Sequence, residues 1–501
     1  MRFATRQPAA PSARARALLE TAPALRELDD VGPDPDRLRQ AALVAAGTVL
    51  VRDRPGPRVL SPAHQAAVLT AAGVDVVVEL SCRHRNRVAL EGEVAALADC
   101  GVAGVLVTDG DGREDTPARP VHDLDAAGLA RLVADAGLAV LVVEDRQVQT
   151  ASRPAGDVGG PRAAGSCPKR MTYGPCGGVD PDGSCEIDAD PCAFLDARLP
   201  VRWRETTAPA APAAAPAARE LRDILRRRPL VLSGLPVRAR VAADVAAAAD
   251  VLRGSVDAVL SGDAGWSRTQ FPPAYRAHLI ARAGLRVWMG VNARDRNRAA
   301  LDAELASLAA QGVAGVHLVT GDHTDTGERP DAAPVFDLES TTMLPRARRQ
   351  GLFTSFAESP AAPPQTARGG RVRQKQLAGG ELCMLQYCGD PADVAAFIAQ
   401  CRDAGADVPV LPGVPVVIDR EGAEQLAGFH AAKLPTGYLE ALLAADDVEA
   451  EGIRLATAYG RALLSVDGVA GVVVAGGVRP GRELASAHAL AEVSAALGGG
   501  S

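Results

Sequence analysis

The chain has 501 residues, of which 47% are apolar and 3% aromatic, and a formal net charge of −7. This length supports more than one globular core. The acidic balance excludes the basic footprint of a nucleic-acid or membrane-surface binder. No apolar run reaches the roughly 18 residues of a spanning helix, and the Arg/Ala/Pro-rich start lacks the apolar core of a secretory leader, so a cytoplasmic location is expected.

In chain order, residues 1–35 read as a disordered tail, because little in them can be buried. Residues 36–155 alternate short β-branched runs with helical patterns, which implies a parallel sheet. Four strands are expected there, near 47–51, 75–80, 104–108 and 139–143. Residues 156–205 hold four cysteines, and the Ala/Pro run 206–218 reads as a semi-rigid extended linker. Residues 219–497 supply eight strands, near 230–233, 257–260, 286–291, 315–320, 352–356, 381–386, 408–411 and 471–475. Eight βα units in this length predict an α/β fold of the (β/α)8 TIM-barrel class.

An internal duplication organises the two βα regions. At an offset of 211, 16 of the 27 positions from Arg85 to Asp111 match those from Arg296 to Asp322. The match includes Arg85-Asn86-Arg87 against Arg296-Asn297-Arg298 and Gly110-Asp111 against Gly321-Asp322. After a three-residue insertion, Val121, Asp123 and Leu124 meet Val335, Asp337 and Leu338. The first copy therefore reads as a half-barrel-like βα repeat. Four strands cannot close a barrel, so its edges need cover from the cysteine segment, the barrel or another subunit, and a homo-oligomer is one expectation. This copy has no equivalent of Gln386 and is expected to be a degenerate structural half that supports the cysteine segment.

Cys167, Cys176, Cys185 and Cys192 follow a C-x8-C-x8-C-x6-C spacing. Four thiolates suit zinc or an iron–sulfur cluster, which the spacing does not separate. Two disulfides or four free thiols are the alternative. The other five cysteines (Cys82, Cys100, Cys383, Cys388 and Cys401) read as buried reduced thiols.

Cys167-Pro168-Lys169, Gly174-Pro175-Cys176-Gly177-Gly178 and Cys185-Glu186 resemble the methylenetetrahydrofolate reductase C-terminal domain family. The barrel resembles methylenetetrahydrofolate reductase itself. The motifs carrying that likeness are Thr320-Gly321-Asp322, Lys375 with Gly379-Gly380, Leu385-Gln386 and Pro412-Gly413-Val414-Pro415. The resemblance implies a flavin-using reduction of the methylene carbon carried by tetrahydrofolate, with a tetrahydrofolate derivative as substrate. It implies a pterin-contacting Asp322, a substrate-binding Gln386, and cofactor contacts from Thr320, Gly321 and Lys375. A carboxylate and a carboxamide suit the amide-like edge of a pterin. The bland readings are a turn-forming Asp322 and a rim amide at Gln386.

Two departures bear on the chemistry. Ser233 stands where the family's first strand carries its general-acid Glu, and a serine of ordinary pKa does not replace a carboxylic acid. The third strand offers Trp288, Met289 and Asn292 where the family has a flavin-contacting His. Catalytic roles fall to Asp322, His323 and Ser233, with His323 either the substitute acid or a rim histidine. The Arg294–Arg298 run, through Arg296 and Asn297, either holds an anionic substrate tail or forms a solvated helix start. The leading expectation is a folate-dependent one-carbon enzyme served by an electron-donor protein or a one-carbon acceptor. With these departures, and Thr320 in place of the family's Arg before Gly-Asp, folate binding is better supported than flavin-dependent reduction, and FAD or FMN stays a candidate cofactor. A non-redox one-carbon transferase and a non-catalytic folate-binding accessory subunit are the alternatives.

Overall fold

The computed structural model describes residues 2–4, 25–28, 32–45, 47–110, 118–144, 167–195, 201–204, 212–263, 268–427, 433–477 and 479–500. The strands in chain order are β1 (Arg2–Ala4), β2 (Arg26–Glu27), β3 (Val49–Val51), β4 (Val76–Ser81), β5 (Gly104–Thr108), β6 (Val140–Glu144), β7 (Ser184–Cys185) and β8 (Asp188–Pro191). They continue with β9 (Leu230–Gly234), β10 (Ala258–Ser261), β11 (Val287–Asn292), β12 (Gly315–Val319), β13 (Thr354–Glu358), β14 (Leu382–Leu385), β15 (Val410–Pro415) and β16 (Gly471–Ala475).

Strands β9 to β16 form a closed parallel barrel in which β16 pairs back onto β9. Every expected barrel strand is present. Their runs are short and β-branched, and both faces are buried, the inner against the lumen and the outer against helices, as parallel sheets require. The linker reading of 206–218 ends early, because a helix begins at Pro216 and runs to Arg227. Proline at its first position removes an amide that has no partner in an α-helix. The helix closes the N-terminal end of the barrel. Its Ala218 and Leu221 join a core with Leu230, Leu232, Trp288 and Phe353, and the Arg222 guanidinium lies 4.1 Å over the Phe353 ring.

The first copy is an open sheet of order β1-β6-β5-β4-β3-β2. The four expected strands are β3 to β6. Residues 1–35 are not wholly a tail: Arg2–Ala4 adds antiparallel to β6 and Arg26–Glu27 adds parallel to β3. These short strands lengthen the sheet at both edges, the usual management of exposed strand edges. Among the described residues no helix is long and apolar enough to cross a membrane.

The copies join through their duplicated loops. Arg85 and Arg296 pair as an antiparallel backbone bridge. Asn86 N donates to Asp295 O and Asn297 N to His84 O, both at 3.0 Å. Each asparagine also caps its own helix. Asn86 accepts from Ala89 N for the helix Arg87–Cys100, and Asn297 from Ala300 N for the helix Arg298–Ala310. Behind the loops the same charge arrangement occurs twice. Asp53 Oδ2 accepts from Ser81 N and Arg85 Nη1 at 2.9 and 2.8 Å. Asp263 Oδ2 accepts from Asn292 N and Arg296 Nη1 at 3.1 and 3.2 Å. Arg87 pairs with Asp123 and Arg298 with Asp337. Glu93 and Glu304, the counterparts on the two helices, are both buried at this junction. The helix Pro62–Ala71 packs on its counterpart Pro273–Arg282.

Candidate functional site

The cysteine segment lies on the C-terminal face of the barrel. Its Cys-Pro-Lys and Cys-Glu motifs meet the Gly-Asp turn after β12. Lys169 Nζ lies 2.5 Å from Glu186 Oε1, and the same oxygen accepts from His323 N at 2.9 Å. Asp322 is close enough that its charge acts on both Lys169 and Glu186. Burial pushes the Lys169 ammonium down, but Cys176, Glu186 and Asp322 outweigh it and raise the group. Burial raises the Glu186 carboxyl, against Lys169, which lowers it. One cation and two carboxylates therefore converge at the barrel mouth. Strand C-termini are where barrel enzymes carry their working groups.

Gly321 holds φ at +92°, and a Cβ there would sit 3.3 Å from the Cβ atoms of Arg294 and Asn292. The Gly-Asp turn thus needs glycine for both its backbone angle and its packing. Asp322 follows it, half-buried. Gln386, just past β14, is also half-buried. Its backbone N donates to Glu358 O, and its side-chain Oε1 accepts from Tyr387 N at 3.2 Å.

The other expected site residues are engaged within the protein. Ser233 is fully buried, its hydroxyl directed at Gly234 O, 3.2 Å away. His323 is buried, stacked on Phe336, with Nδ1 accepting from Asp325 N. Thr320 Oγ1 accepts from Ser340 N. Lys375 Nζ donates to Ala357 O and pairs with Glu358 Oε2 at 3.0 Å. Thr320 and Lys375 thus have partners within the protein. Arg296 and Asn297 belong to the junction between the copies. Arg296 is buried on Asp263, and Asn297 Nδ2 donates to Arg119 O at 2.8 Å. The solvated-helix reading of the Arg294–Arg298 run fails with them, since Arg294, Asp295 and Arg296 are all buried. Asp111, the first copy's counterpart of Asp322, lies outside the described residues.

Lys169 and Glu186 are the site residues that the sequence did not assign. Their signal lay in the family motif itself, where Lys169 is two residues after Cys167 and Glu186 follows Cys185.

None of the nine cysteines is disulfide-bonded. Cys82, Cys383, Cys388 and Cys401 are buried and Cys100 is half-buried, as expected of reduced core thiols. Cys167, Cys176, Cys185 and Cys192 line one cavity of about 40 Å³, together with Lys169 and Glu186. Burial raises the Cys167, Cys185 and Cys192 thiols. Backbone N–H groups of Met171 and Lys169, of Ile187 and of Phe194 act the other way on these three sulfurs. Amides aimed at sulfur are what a thiolate centre requires. Among the described residues, however, no three His, Cys, Asp or Glu side chains are gathered into a ready-made ligand group. The donor set fits a thiophilic metal, and the sulfurs would still have to draw together around it. Among the described residues, the hydrogen bonds and ion pairs that seat this segment on its surroundings run to the barrel.

Fold and site together define a parallel α/β barrel whose C-terminal mouth is shared with a four-cysteine segment. Residues 263–472 match the family profile described as methylenetetrahydrofolate reductase, and residues 156–208 that described as methylene-tetrahydrofolate reductase C terminal. The barrel and the cysteine segment thus carry the signatures of the methylenetetrahydrofolate reductase family. A stretch of 86 residues is 31% identical to methylenetetrahydrofolate reductase (NADH) 1 of Arabidopsis thaliana, covering 16% of this chain and 14% of that protein. A stretch of 88 residues is 31% identical to a probable methylenetetrahydrofolate reductase (NADH) of Oryza sativa subsp. japonica, covering 17% and 15%. The chain therefore spans a small part of the length of these relatives. Among solved structures, an uncharacterised protein from Clostridium thermocellum that binds two copies of 5-methyl-5,6,7,8-tetrahydrofolic acid is 13% identical, with a TM-score of 0.40 over 54% of this chain and 98% of that one.

Proposed function

We propose that this chain is a cytoplasmic folate-dependent one-carbon enzyme that binds a tetrahydrofolate derivative at the barrel mouth and interconverts its methylene and methyl forms. The family matches support the substrate class. The observation that carries the site is the convergence of Lys169 and Glu186 on Asp322. Asp322 accepts from the N–H edge of the pterin. Gln386 offers both a donor and an acceptor to the same ring. The two carboxylates, only partly offset by Lys169, favour a cation over a neutral molecule, as the iminium form of a methylene folate requires. The four cysteines would hold zinc, which would fix the segment over the mouth, or an iron–sulfur cluster, which would exchange electrons with a donor protein.

Titration calorimetry with 5-methyl-tetrahydrofolate tests the substrate class, and absence of any heat would sink it. Oxidation of 5-methyl-tetrahydrofolate with an artificial acceptor, with FAD or FMN supplied, tests the redox step. The internal engagement of Thr320 and Lys375 favours a second reading in which folate binds without a flavin, for one-carbon transfer to an acceptor or as an accessory subunit. Heat of binding with no oxidation under either flavin selects that reading.

A further inference from the structure

The helix Arg368–Leu377 places three buried cations, Arg368, Arg371 and Lys375, along one face. Glu358 at the end of β13 lies within 3.1 Å of Arg368, 4.0 Å of Arg371 and 3.0 Å of Lys375. Glu339 adds a second carboxylate, 3.9 Å from Arg371. Burying so many charges costs more than the ion pairs return unless the remaining donors find acceptors. Ala362 O, Pro363 O and Ala357 O in the barrel are such acceptors, and two more belong to the cysteine segment. Arg368 Nη1 donates to Cys176 O at 2.8 Å, and Arg371 Nη1 to Tyr173 O at 2.9 Å. Glu339 Oε1 accepts from Tyr173 N at 3.0 Å, so the barrel grips residue 173 by both its amide and its carbonyl. On the same helix Gln374 binds Val201 O and Trp203 N, and Trp203 in turn packs on the Tyr173 ring.

We infer that Arg368, Arg371 and Glu339 are positioning residues that hold the loop 172–177 on the barrel so that Cys176 faces the other three thiols. The cysteine centre is then completed by the barrel and is not a free-standing module. This rests on reading the four cysteines as one centre and does not depend on the folate reading.

Close approach is part of the same device. A Cβ on Gly177 would lie 2.5 Å from Ser359 Oγ and 3.3 Å from Ser359 Cβ. The test is the alkylation rate of Cys176 by iodoacetamide, read by peptide mass spectrometry on the full chain, with buried Cys383 as internal reference. Arg371→Met should speed labelling of Cys176 by about tenfold, the effect of easing local opening by ~1.4 kcal/mol. Gly177→Ala should speed it less, and adding Ser359→Gly should restore the wild-type rate by removing both clashing atoms. If Arg371→Met does not fold, the Gly177 series decides alone. Unchanged labelling in the single variants, or no restoration in the double variant, overturns the inference. A labelling pattern as expected with no heat from folate would remove the proposed function and leave this inference standing.

Discussion

Arg85 in the first copy is held by Asp53 and Glu93, and Arg296 in the second by Asp263. The loops around them are nearly the same, yet only the second copy closes its sheet into a barrel and only it carries Gln386. What persists in both is the ion network and the asparagine caps, which serve the contact between copies. What survives only in the second is the mouth. The duplicated Arg-Asn-Arg loops therefore report on assembly, whereas at the mouth Gly321-Asp322 keeps a sequence counterpart in Gly110-Asp111 and Gln386 does not.

The harshest test of this division is Arg85→Met. It leaves Asp53 and Glu93 buried without their cation, and equilibrium denaturation should show a loss of about 3–5 kcal/mol. A loss under ~1 kcal/mol would mean that the junction contributes little. Next comes the mouth. Asp322→Ala should weaken 5-methyl-tetrahydrofolate binding by roughly tenfold to a hundredfold, the loss of hydrogen bonds to a charged group. Asp111→Ala, the same motif in the first copy, should leave that affinity unchanged, and calorimetry on both variants separates the copies. Smaller again, Asn86→Ala and Asn297→Ala should each cost about 1 kcal/mol in chemical denaturation through the lost helix cap. Parallel losses would support equal roles in the two copies.

The subtlest expectation concerns pH. Burial, with Glu304 and Asp53 nearby, pushes the Glu93 carboxyl up to about 7 against the pull of Arg85 and Arg296. A carboxyl raised in the folded state holds its proton where the unfolded chain has released it. Its contribution to stability is therefore complete below the unfolded value of 4.5 and is lost as pH rises through about 7. Glu93→Gln should remove that slope and leave the variant more stable than wild type at about pH 8, by something on the order of 1 kcal/mol. Denaturation midpoints at about pH 5 and pH 8 check it.

The eight barrel strands were legible because each is a β-branched run ending near a glycine or polar turn, a local signal that survives without the partner strand. The closing helix at Pro216 was not, since an Ala/Pro-rich stretch reads as linker until Ala218 and Leu221 have a barrel end to fill. Arg296 and Asn297 looked like ligand groups because nothing local reveals that Asp263 and the first copy's loop absorb them. The pairing of Lys375 with Glu358 was hidden too, since the partner lies 17 residues back at the end of β13. Conversely, Lys169 and Glu186 lie more than 130 residues from Asp322, and only the docking of the cysteine segment brings them to the mouth.

At the junction Arg85 faces its own counterpart Arg296, and each asparagine meets the residue two before the other asparagine: Asn86 meets Asp295, and Asn297 meets His84. Self-complementary contact of this kind is the mark of an isologous dimer. The chain thus has the pattern of two related units joined in tandem and facing each other as the halves of a dimer do, of which only the second closes into a barrel.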